Sequence, residues 1–98
     1  MKGLIMRDKI INILIDEYHY SQYVAETTAN DLLNMQSSLL PLLNDWLENR
    51  KVSNIIIEGF DVDYLMNVHQ MNYLAALLAL DWLLVDPEVA KKELQIVR

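Results

Sequence analysis

The chain has 98 residues, 53% of them apolar, no cysteine and a formal net charge of −6. That length allows one domain, 1–98, with a thin margin of stability, and the missing cysteine excludes a disulfide framework, a thiol nucleophile and a cysteine-based zinc site. The eight bases (Lys2, Arg7, Lys9, Arg50, Lys51, Lys91, Lys92 and Arg98) are scattered, so electrostatic capture of nucleic acid or anionic lipid is not expected.

Two glycines and two prolines punctuate the sequence, which makes long helices the default. Apolar residues at 6, 10, 11, 14, 15 and 18 share one helical face and predict a first helix from about Ile5 to Tyr20. Ala25, Thr28 or Ala29, Leu32, Met35 and Leu39 form the stripe of a second helix, about Gln22 to Met35. Ser38 is the expected N-cap of a third, Leu39 to Arg50. It places Pro41 in the first turn, where a missing N–H costs nothing.

Residues 54–58 read as a short extended segment. Ile55, Ile56 and Ile57 look like a strand, yet no partner strand is evident, and unpaired backbone is costly. Pairing with a second copy of the chain is one way to satisfy it. Asp61 is a plausible N-cap for a short helix, Val62 to His69, and Asn72 for the next, Tyr73 to Val85.

The helix Tyr73 to Val85 reads YLAALLALDWLLV, with Asp81 its only polar residue, and is expected to be packed on every side. Asp86-Pro87-Glu88 then opens a final helix: a cap, a proline at the first position, an acid near the positive dipole end. The predicted fold is therefore all-α, a small bundle of five to six helices around 73–85.

Met35 to Leu47 and Met71 to Leu83 share Met, Leu, Asp, Trp and Leu at an offset of 36. Leucine-rich helices reach such agreement by composition, and repeat architectures usually need three or more units.

No secretory signal is expected, because Arg7, Asp8 and Lys9 interrupt the only N-terminal apolar run. Tyr64 to Leu80, the longest uncharged stretch, is broken by Asn67, His69, Gln70 and Asn72, whereas a spanning helix needs about 20 mostly apolar residues. The expected location is cytoplasmic.

The candidates for chemistry are few. Asp16, His19 and Glu26 fall short of a metal set, which needs three or four ligands in fixed geometry. His69 is expected to cap a helix or face solvent. Asp16-Glu17, Asp61 with Asp63, and Asp86 with Glu88 fall at helix ends rather than across a cleft, and Ser21, Ser37, Ser38 and Ser53 lack a glycine-framed elbow. No catalytic residue, metal, cofactor or small-molecule substrate is assigned, and no enzyme activity is expected.

Val62 to His69 followed by Tyr73 has the lengths of a helix-turn-helix, but its second helix carries no Lys or Arg to meet DNA. A DNA-binding regulator would need Arg7 and Lys9 brought to Arg50 and Lys51.

The leading reading is an acidic helical adaptor or regulatory module that works by protein–protein contact, as a homodimer. The apolar excess supports it, since a small domain cannot bury so much apolar surface alone. Tyr18, Tyr20, Tyr23, Ile55 and Ile57 are the expected interface residues, while Trp46 and Trp82 follow leucine stripes and are assigned to the core.

Overall fold

A computed structural model describes the backbone of residues 2–95 and the side chains of residues 6–95. The fold is all-α. Among the described residues there are six helices, α1 (Lys2–Asp16), α2 (Gln22–Leu33), α3 (Leu40–Asn49), α4 (Val62–Asn67), α5 (Tyr73–Val85) and α6 (Pro87–Leu94). One hairpin, β1 (Ile56–Ile57) and β2 (Phe60–Asp61), stands between α3 and α4. The chain divides into two contiguous compact units, Met1–Met35 and Gln36–Arg98.

The first unit is an antiparallel αα-hairpin. Ala25 and Ala29 are buried on α2, as are Ile10 and Leu14 on α1, and Arg7 Nε donates to Asn30 Oδ1 across the pair at 2.7 Å. The first helix stops at Asp16, four residues short of the predicted Tyr20. His19 adopts a left-handed φ of 61°, which turns the Tyr20 N–H back onto the Leu14 carbonyl at 3.0 Å. Periodicity does not report that reversal, because Tyr18 continues the stripe. Ser21 then caps α2, its hydroxyl accepting the Val24 N–H.

In the second unit α5 is the element on which the others pack: α4, α6 and β1 all lie against it. Tyr73, Leu74, Ala76, Leu77, Ala79, Leu80 and Leu83 are buried. The α3 side contributes Leu43, Trp46 and Leu47. Trp46 and Tyr73 meet with ring centroids 6.1 Å apart, and the buried Tyr73 hydroxyl accepts the Ser53 N–H at 3.3 Å. A buried tyrosine oxygen thus finds the partner that it requires.

The start of α3 differs from expectation. Leu39, not Ser38, occupies the N-cap position, with no side-chain capping bond, and the proline still falls in the first turn. The Leu39 N–H instead closes a turn on the Gln36 carbonyl at 2.9 Å, and burying the Leu39 side chain fixes that turn. At the other end Arg50 takes a left-handed φ of 52° while its guanidinium carbon lies 4.4 Å from the Trp46 ring centroid.

The isoleucine run has its partner strand within the chain. Ile56 pairs with Asp61 and Ile57 with Phe60, antiparallel, across Glu58-Gly59. Both turn residues have positive φ, 54° and 84°, the pattern of a type I′ hairpin, whose twist matches that of the strands. Two strands of two residues are too short to announce themselves by alternation, so β2 escapes a periodicity search.

The hairpin leads directly into α4. Asp61 accepts the Tyr64 N–H at 2.7 Å and Asn54 Oδ1 accepts the Asp63 N–H at 3.1 Å, satisfying two of the helix's first donors. The helix ends at Asn67, two residues before the predicted His69, and Gln70 reverses the chain at φ 60°. Asn72 caps α5 as expected, accepting the Ala75 N–H at 2.8 Å. Asp86 holds the cap position of α6 with Pro87 behind it, but its side chain makes no capping bond.

Candidate functional site

Among the described residues, exposed large apolar side chains cluster at two places, with Val52, Ile56 and Val68 exposed elsewhere. The first lies on α5. Its buried residues leave a stripe at Ala75, Leu78, Trp82 and Val85, spaced three, four and three apart. The first two are half-buried, whereas Trp82 is 39% exposed and Val85 61%. Leu84 and, one turn into α6, Val89 are exposed beside the helix junction. The helix is therefore not packed on every side, and Trp82 is not a core residue. Trp46, at the matching place in the 36-residue echo, is only 4% exposed. The last turn of α5 is covered on one face, where Leu83 is fully buried, and open at Trp82, Leu84 and Val85.

The second surface is the α1–α2 corner. Tyr18 and Tyr20 are half-buried, with ring centroids 6.5 Å apart and planes at 55°. Tyr23 is 74% exposed on the first turn of α2, and Val24 beside it is exposed. Asp16, Glu17 and His19 are exposed, and Glu26 accepts from Gln22 Nε2 at 2.6 Å.

The two isoleucines expected at an interface are half-buried. Ile55 and Ile57 flank Ile56, which faces outward at 68% exposure. Alternation along an extended segment decides this, and an isoleucine triplet does not reveal which member faces out.

His69 is half-buried rather than solvent-facing. Its ring stands edge-on to Tyr64 at 5.3 Å, Tyr64 meets Phe60 at 5.7 Å, and His69 Nε2 is buried without a hydrogen-bond partner. Among the described residues no group of three or more His, Cys, Asp or Glu side chains is placed to hold a metal ion. No helix there is long and apolar enough to cross a membrane.

The segment with helix-turn-helix lengths spans α4 and α5. Tyr73, Leu74, Ala76 and Leu77 of its second helix face the interior. Two of the four bases that such a reading needs make contacts within the fold, Arg7 with Asn30 and Arg50 over Trp46. Comparison with protein-family models gives no match, and neither does comparison with curated proteins or with solved structures.

Sequence reasoning missed Trp82, Leu84, Val85 and Val89. The last turn of α5 reads Trp-Leu-Leu-Val, apolar throughout, so its sequence does not show which members face out.

Proposed function

We propose that this chain is an interaction module that self-associates through the outer stripe of α5. The observation that carries the reading is the exposure of Trp82 and Val85 at helical-pairing spacing on a helix seven of whose thirteen residues are buried. Apolar positions alternating three and four apart form the seam along which helices pair. A two-fold axis beside α5 sets the stripe against itself, the usual solution for a homo-oligomer. An exposed tryptophan supplies the large apolar area of an interface anchor. The absence of cysteine supports a reducing compartment, and we place the module in the cytoplasm.

Light scattering after size exclusion tests it. A dimer mass at micromolar concentration is expected for the native chain, and a monomer mass for Val85→Lys, with unchanged helical circular dichroism in both. A native monomer throughout the micromolar range overturns the reading.

A further inference from the structure

Most bases of this chain lie in helices. At the described positions Lys2, Arg7 and Lys9 belong to α1 and Lys91 and Lys92 to α6, whereas Arg50 and Lys51 follow the end of α3. The left-handed φ of Arg50 turns the chain out of that helix, and from Lys51 to Ile55 it has no regular structure. Glu48, Asn49, Arg50, Lys51 and Val52 are all exposed. Among the described residues Lys51 and Val52 make no hydrogen bond or ion pair. The first tether beyond them is the Ser53 N–H on the Tyr73 hydroxyl, at 3.3 Å.

We propose that the Lys51–Val52 peptide bond is a cleavage site for an endopeptidase of basic specificity, one whose pocket for the side chain before the cut is acidic. Such a pocket selects lysine and arginine by charge. Proteolytic nicking concentrates in exposed chain that few hydrogen bonds hold, because the substrate segment must be drawn out as an extended strand. A base inside a helix is reached only in the fraction of molecules in which that helix has opened. Lys51 requires no helix to open. Its neighbour Arg50 is the poorer site, since its backbone is left-handed and its guanidinium carbon lies 4.4 Å from the Trp46 ring centroid.

The reaction consumes one water. The amide C–N bond breaks, the Lys51 carbonyl carbon gains the water oxygen and leaves as a carboxylate, and the Val52 nitrogen takes the protons and leaves as an ammonium. Both new charges fall on exposed residues, where water solvates them. The cut parts α1, α2 and α3 from the hairpin and α4 to α6, and it leaves the α5 stripe whole on the second product. It stands whether or not that stripe self-associates.

The test is digestion of the native full chain with limiting trypsin, sampled by intact-mass spectrometry. The first cut within residues 6–95 is expected after Lys51, giving the 1–51 and 52–98 products. Lys51→Gln is expected to lengthen the half-life of the intact chain at least tenfold with an unchanged melting temperature. Lys9→Gln, at another exposed lysine, is expected to leave the half-life unchanged. A first cut after Arg50, a first cut inside α1 or α6, or a Lys51→Gln chain that is cut as fast as the native one overturns the proposal. So does simultaneous cutting at all bases, which marks global unfolding as the route.

Discussion

The Asp81 carboxylate accepts the backbone N–H of Gln36 at 2.8 Å. This contact accounts for the one polar residue in the thirteen of α5. It joins the third turn of α5 to the chain just before α3, across 45 residues of sequence, and anchors the turn that Leu39 closes on Gln36.

Removing that acceptor leaves a donor that water can partly satisfy, because Gln36 is exposed. A hydrogen bond to a charged group contributes about 1.5–3 kcal/mol where it is well shielded, and exposure puts this one near or below the lower end. Asp81→Ala is therefore expected to cost about 1 kcal/mol, lowering the melting temperature by roughly 4–8 °C. Asp81→Asn, which keeps an acceptor oxygen, is expected to recover at least half of that loss in the same melting experiment.

Backbone handedness offers a separate test. His19, Arg50, Glu58 and Gln70 all have positive φ without being glycine. A left-handed conformation costs a residue with a Cβ about 1 kcal/mol, and glycine escapes that cost. Gln70→Gly is expected to stabilise the chain by about 0.5–1 kcal/mol in urea unfolding, while Gln70→Ala gives no comparable gain. At the hairpin, Gly59 has φ 84°, and a Cβ added there would meet no neighbouring atom within 4 Å. Gly59→Ala should thus cost about 1 kcal/mol from the backbone alone.

The Glu58–Lys91 ion pair, 3.2 Å apart and partly exposed, links the hairpin turn to α6. Exposed pairs contribute about 0–1 kcal/mol. Glu58→Asn breaks it but introduces Asn-Gly, the favoured type I′ sequence. Stability equal to or above that of the native chain is the expected outcome. A clear loss would mean that the ion pair outweighs the turn.

The two tryptophans report on different environments. Trp82→Phe leaves the buried Trp46, so its emission is expected to be blue-shifted and poorly quenched by acrylamide. Trp46→Phe leaves the exposed Trp82, with red-shifted and readily quenched emission when dilute. Dimerisation through the α5 stripe should move that second spectrum to the blue as concentration rises. Two variants with the same quenching would contradict the assigned burial.

Removing packing at the centre of the second unit sets the upper scale. Leu77 is fully buried in α5, and a leucine-to-alanine change at such a site costs about 2–5 kcal/mol. Tyr73→Phe removes only the bond from the Ser53 N–H and should cost about 1 kcal/mol. The ratio of the two separates packing from hydrogen bonding at one helix.

The amino-acid sequence by itself determined the helical class, the burial of most of α5 and the caps at Asp61 and Asn72. These are local matters: a side-chain oxygen reaches a donor three residues on, and an apolar face repeats every three to four residues. It also located the aromatic corner at Tyr18, Tyr20 and Tyr23. Only the tertiary structure decided which apolar residues stay outside. Trp46 and Trp82 sit in matching leucine-rich sequence, yet one is buried against Tyr73 and the other is 39% exposed, because burial depends on which elements arrive from elsewhere in the chain. The same holds for β2, the handedness of His19 and Gln70, and the destination of Asp81, each fixed by what it meets in space.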